Sequence, residues 1–234
     1  MSTYFFVHIS IVTIPLLFSF DKRVHFYKKW KFALPAILIP GFVFVVWDII
    51  FTSLEVWSFN DSHLSGIHMV NLPIEEVLFF FTVPYASLFT YETLKTYWPE
   101  INPVKVSKIF TLLISFLLIT IAVFSLGKIY TSITFLSLSL MLLFFQFVVK
   151  SAVMGRFYIA YLIIIFPFTF FNGILTGSII ESPVVLYNNF ENLGIRIFTI
   201  PVEDVFYGML LILLNISLFE AFRKNLRLKF ISNS

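Results

Sequence analysis

Seven stretches of this chain are each apolar enough, and each close to the roughly 20 residues needed, to cross the hydrocarbon core of a bilayer. They run near Tyr4–Phe20, Phe32–Leu54, Leu72–Tyr91, Ile109–Leu126, Thr131–Val149, Phe157–Ile179 and Ile197–Phe219. No water reaches a bilayer interior, so each span must satisfy its backbone hydrogen bonds internally, as a helix does. The expected fold is all-α integral membrane, with seven transmembrane helices and no soluble domain. Composition agrees: 59% of residues are apolar and 12% are charged, against about 25% charged in soluble domains. Phenylalanine alone fills 32 positions, more apolar surface than a globule with a polar exterior can use. Pro15, Pro35, Pro40, Pro84 and Pro167 fall in or near spans, where neighbouring helices can re-satisfy the freed carbonyls. Cysteine is absent, which excludes disulfides, thiolate metal sites and thiol nucleophiles.

Charge gives the direction. With the N-terminus outside, the cytoplasmic segments hold Lys22, Arg23, Lys28, Lys29, Lys31, Lys95, Lys105, Lys108, Lys150, Arg156, Arg223, Lys224, Arg227 and Lys229, and only Lys128 and Arg196 lie outside. That asymmetry predicts a multi-pass protein of the cell (inner) membrane with its C-terminus cytoplasmic. The first span has no basic region before it and a strongly basic one after it, the pattern of a retained anchor rather than a cleaved signal.

The chain also repeats itself. Pro73-Ile74-Glu75-Glu76-Val77 opens the third span, and Pro201-Val202-Glu203-Asp204-Val205 opens the seventh. The shift that carries Pro73 onto Pro201 also carries Glu92 onto Glu220 and Lys95 onto Arg223. A slightly smaller shift carries Asp48 onto Asn172 and Thr52 onto Thr176. Spans 1–3 therefore correspond to spans 5–7. Four helices is an even step, so the two three-helix repeats are parallel and the fourth span is a linker helix. The implied units are residues 1–95, a linker at 96–130, and 131–234.

Polar residues inside so apolar a chain are the candidates for chemistry. Glu75, Glu76, Glu203 and Asp204 follow a proline in a first helical turn, where an acid ordinarily caps free amides and meets the positive end of the helix dipole. Capping needs one or two acids, whereas here adjacent pairs occur in both repeats. Asp48 lies about 10 Å below the outer end of its span, with Thr52 and Glu55 on the same face. An ionisable group at that depth is costly and points to function, although it can also serve as polar glue between helices. Glu92 and Glu220 lie at the cytoplasmic ends and are expected to pair with Lys95 and Arg223 at i+3. His8, His25, His63 and His68 make no repeated cluster. No GxGxxG, P-loop or aspartate-rich motif is present, and the seventh span has no lysine for a retinal Schiff base. The chemistry that fits is protonation of an apolar substrate by carboxylic acids, which in low-dielectric surroundings can stand protonated at neutral pH.

These residues resemble a known family. The doubled Pro-x-Glu-Glu and Pro-x-Glu-Asp motifs, with Trp47-Asp48 in one repeat and Phe171-Asn172-Gly173 in the other, look like the membrane-integral, flavin-independent lycopene cyclases. In that family two homologous three-helix domains form a heterodimer in some bacteria, and are fused in others and in the fungal bifunctional carotenoid enzymes. This chain resembles the fused form from about Phe32 to Lys224. The resemblance implies conversion of lycopene through γ-carotene to β-carotene. It implies Glu75 and Glu203 as principal acid and base, with Glu76, Asp204 and Asp48 tuning or relaying protons. Trp47 would shield a cation, and Asn172, Thr52 and Thr176 would line the substrate. Asn172 departs from Asp48 and cannot donate a carboxylic proton, so the halves are not expected to act identically. No cofactor and no metal is implied. The implied partners are an apolar carotenoid from the bilayer, membrane lipid, and other carotenoid enzymes, with no nucleic acid. A SWEET-like transporter shares the three-plus-one-plus-three layout but needs a polar central path. A different terpenoid cyclase or hydratase, or a structural subunit, would have the same composition.

Overall fold

The computed structural model describes the backbone of residues 2–232 and the side chains of residues 2–224. Arg227 and Lys229, expected among the cytoplasmic bases, have side chains outside that range. The helices are α1 (Thr3–Phe18), α2 (Trp30–Ser53), α3 (Ile74–Tyr97), α4 (Val104–Phe124), α5 (Ile129–Leu143), α6 (Met154–Leu175) and α7 (Val202–Ser232). A π-turn, Phe144–Val148, extends α5 and turns Gln146 inward, where Ser107 of α4 donates to its Oε1 at 3.2 Å. Among the described residues, six helices are long and apolar enough to cross a membrane, and α1, with 16 residues, is shorter. At 1.5 Å per residue α1 reaches about 24 Å. It lies along α3 with Tyr4, Val7, His8 and Ile11 inward. The exposed apolar faces, such as Phe116 and Phe124 of α4 and Phe42 of α2, suit lipid rather than water.

The α2–α3 and α6–α7 loops hold short strands that composition did not foreshadow. They are β1 (Trp57–Phe59), β2 (His68–Met69), β3 (Leu72–Pro73), β4 (Val185–Tyr187), β5 (Arg196–Ile197) and β6 (Ile200–Pro201). The β2–β3 hairpin leads into α3 and the β5–β6 hairpin into α7. His68 pairs with Pro73 in the first and Arg196 with Pro201 in the second, so the hairpins keep the same spacing to the acid motifs. Their turns place Val70 at φ 61° and Phe198 at φ 56°. A branched or bulky residue in the left-handed region costs on the order of 1–3 kcal/mol, and both repeats carry that strain at the same point.

Strand β1 pairs antiparallel with β4, and Ser58 faces Leu186. The shift that carries Pro73 onto Pro201 carries Ser58 onto Leu186 as well, so the repeats meet about a pseudo-two-fold axis running between them. Parallel repeats require such an axis along the membrane normal. The C-terminal ends of α2 and α6 depart from the expected alignment. The closing bond from Val56 N to Phe51 O has its counterpart in the bond from Ser178 N to Gly173 O, which sets Phe51 rather than Ile49 against Gly173. Thr52 and Thr176 are therefore not equivalent: Thr176 is the C-cap of α6, while the C-cap of α2 is Leu54.

The ion pairs at the far ends of α3 and α7 also differ from expectation. Lys95 donates to Glu220 at 2.5 Å, and Arg223 donates to Glu92 at 2.6 Å. Lys29 adds a second contact to Glu92 at 2.7 Å, and only Arg223–Glu220, at 3.4 Å, follows the i+3 pattern among the described residues. Because α3 packs on α7 near the axis, the opposite helix offers the better-placed partner.

Candidate active site

Adjacent residues on a helix point about 100° apart, so the two acids of each pair meet different surroundings. Glu75 Oε1 accepts from the Ser65 amide at 2.7 Å and the Ser2 hydroxyl at 2.8 Å. Glu203 Oε1 accepts from the Leu193 amide at 2.8 Å and the Thr131 hydroxyl at 2.5 Å. Both are fully buried. Each pins the loop before the repeat's third helix, and the start of its first helix, to the first turn of that third helix. His8 reinforces the first pin, its Nε2 lying 2.8 Å from the Glu75 carbonyl oxygen and its Nδ1 3.0 Å from the Thr82 hydroxyl. The remaining oxygen of each glutamate, Oε2, has no hydrogen-bond partner among the described residues.

The second acids face inward. Glu76 and Asp204 line one cavity of about 50 Å³ beneath the β1–β4 pair, together with Asp48, Trp57, Tyr207 and Asn172. The Tyr4 hydroxyl donates to Glu76 Oε2 at 2.7 Å. Asp204 receives three bonds: Tyr130 to Oδ1 at 2.6 Å, and Tyr187 and Asn172 to Oδ2 at 2.7 Å each. Asp48 is 1% exposed, and its Oδ2 has no partner among the described residues. Around these groups the wall is aromatic: Trp57 meets Tyr130 edge to face at 5.1 Å, and Tyr130 stacks on Tyr187 at 6.2 Å.

The cavity thus joins Glu76, Asp204, Asp48 and Asn172 and leaves out the other expected residues. Glu75 and Glu203 do not line it, because loop amides and hydroxyls hold them. Trp47 stands behind it, edge to face with Tyr207 at 5.4 Å. Thr52 lines a separate outer cleft with Glu55 and Asp61. Thr176 bonds back to the Asn172 carbonyl at 3.0 Å and to Thr199 at 2.7 Å. Sequence reasoning passed over Tyr4, Tyr130, Tyr187, Trp57 and Tyr207. Tyr4 and Tyr130 begin corresponding helices and could have been found by extending the repeat to spans 1 and 5. Tyr187 and Trp57 lie on loop strands, and no periodicity marks them.

A single buried space lined by three carboxylic acids, phenols and an indole, in a membrane chain, can move protons at an apolar substrate. The family model for lycopene cyclase matches residues 1–94 and 127–222. The chain belongs to the lycopene cyclase family. No curated protein and no solved structure matches it. The matched stretches of this carotenoid cyclase take in α1, α2 and most of α3, then α5 to most of α7, and they leave out α4.

Proposed function

We propose that this cyclase closes the ψ-ends of lycopene, through γ-carotene to β-carotene, in a reaction without redox change. A carboxylic acid protonates the terminal double bond. The tertiary cation is attacked by the next double bond of the same chain, closing a six-membered ring. A carboxylate then removes a ring proton, so one proton enters and one leaves. Glu76, paired in the cavity with Asp48 and holding one donor, is assigned as proton source. Asp204, already accepting three hydrogen bonds, suits the charged form and is assigned as acceptor. Glu75 and Glu203 position these two acids by fixing the first turns of α3 and α7. The rings of Trp57 and Tyr207 stabilise the cation through their negative faces, and the aromatic lining disfavours water that would trap it as an alcohol. Substrate comes from the bilayer, with the acid-lined end of the protein outside and the C-terminus cytoplasmic.

The convergence of Glu76, Asp48 and Asp204 in one aromatic cavity carries this reading. Its test is expression in a lycopene-accumulating bacterial strain, with pigments separated by chromatography. The intact chain should yield β-carotene, and purified protein should remain active without added flavin or nicotinamide. Lycopene unchanged at normal levels of inserted protein would refute the assignment.

A further inference from the structure

A second cavity, of about 230 Å³, lies on the flank of the helix bundle between α1, α3 and α6. Its floor is one face of α3: Phe79, Val83, Ala86, Ser87 and Thr90, spaced as one helical stripe. That stripe runs about 16 Å from the acid-bearing end of α3 toward the cytoplasmic end. Ile14 of α1 and Pro167 of α6 form the sides, and Ile14 is 63% exposed, so the groove faces the surrounding lipid. Two of its three hydroxyls are taken up by their own helices: Thr90 donates to the Ala86 carbonyl at 2.9 Å, and Ser10 to the Phe6 carbonyl at 3.0 Å. The groove is predominantly apolar.

Phe79 and Phe168 line both this groove and the acid-lined cavity. Gly208 gives Phe168 its room, since a Cβ there would lie 3.0 Å from the Phe168 ring. The other repeat is built differently at the corresponding place. Tyr207 is the counterpart of Phe79 under the shift that carries Pro73 onto Pro201, and Phe44 of α2 packs against it. Their rings meet edge to face at 4.9 Å. That contact fills space which the first repeat leaves open.

We infer that the α1–α3–α6 groove is the binding channel for the polyene chain of the substrate, admitted sideways from the bilayer, with Phe79 and Phe168 forming the threshold to the acids. The inference rests on the cyclase reading above and adds where the unreacted part of the molecule lies. A rigid conjugated rod suits a groove that runs along one helix face, and the two residues shared with the acid cavity set one chain end on the side of Glu76.

The experiment measures binding apart from turnover. Glu76→Gln protein is purified from lycopene-accumulating cells, and retained pigment per protein is read from its visible absorption. A second variant adds Ala86→Trp to fill the groove, and a control adds Leu113→Trp on the lipid face of α4. Retained lycopene should fall at least fivefold with Ala86→Trp and stay unchanged with Leu113→Trp. In the otherwise unaltered chain, Ala86→Trp should lower ring formation at least tenfold. Thr90→Phe, a smaller intrusion, provides the same comparison if Ala86→Trp inserts poorly. Unchanged pigment retention and unchanged turnover in the groove variants would overturn the inference, as would displacement by Ala86→Trp of phospholipid alone. If the intact chain forms no ring, the cyclisation reading fails, while pigment retention still decides the groove.

Discussion

Glu76 and Asp204 face the same cavity from the first turns of α3 and α7, at matching positions of the two repeats, yet Glu76 accepts one phenolic hydrogen bond and Asp204 accepts two and an amide bond besides. The duplicated frame supplies matching positions. Substitution within it supplies different environments, with Tyr187 where the first repeat has Phe59 and Tyr207 where it has Phe79. The proposed roles of acid and base in one turnover need that difference.

The inward and outward acids should separate on mutation. Glu76→Gln and Asp204→Asn should each lower β-carotene formation by roughly 10²–10⁴-fold with the protein still inserted. Glu75→Gln and Glu203→Gln keep an acceptor for the loop amides and should cost on the order of 1 kcal/mol of stability, with most activity retained. The readout is carotene per inserted protein beside a thermal unfolding curve. Loss of turnover in the Glu75 and Glu203 variants, with Glu76 and Asp204 variants active, would reverse the roles.

Tyr187→Phe removes one of three donors to Asp204 and leaves the cavity wall in place. Hydrogen bonds to charged groups contribute about 1.5–3 kcal/mol to stability, so the unfolding free energy should drop by about that much, and the rate per folded molecule should fall because the Asp204 carboxylate loses a donor that favours its charged form. Single-turnover kinetics in detergent would check this. An unfolded Tyr187→Phe protein would instead mark the phenol as a structural tie between β4 and α7.

The crossed ion pairs predict a stability effect without a chemical one. Glu92 is 3% exposed and is held by Lys29 and Arg223. Arg223→Gln should destabilise the purified protein by about 1.5–3 kcal/mol and leave the rate per folded molecule near normal. Exchanging both charges, Lys95→Glu with Glu220→Lys, should recover more stability than either single change. No such coupling in a double-mutant cycle would mean that the contact is worth nothing in the folded protein.

Reporter fusions test the orientation. Fusions near Asp61 and Glu191 should read outside, and a fusion after Lys224 cytoplasmic. A short α1 that failed to cross would put residues 2 and 61 on opposite sides. That would contradict the Ser2–Glu75 and Thr3–His63 contacts, the latter at 3.2 Å, which hold the N-terminus against the outer loop.

Seven helices, and paired acids at the starts of two of them, were legible in the chain alone, because each is a local or periodic property. Twenty apolar residues dictate a span wherever they occur, and Pro73 and Pro201 start helices regardless of what packs nearby. Which acid of each pair faces the cavity was not legible. Glu75 and Glu76 are one residue apart and chemically alike, and their surroundings separate only when Ser65 and Tyr4 arrive from other parts of the chain. Tertiary structure likewise decided that Lys95 answers Glu220 rather than Glu92, and that Trp57, not Trp47, lines the cavity. The pseudo-two-fold axis between Ser58 and Leu186 is the physical reason: it brings residues of opposite repeats closer than neighbours on one helix, and sequence spacing within a single helix carries no record of that distance.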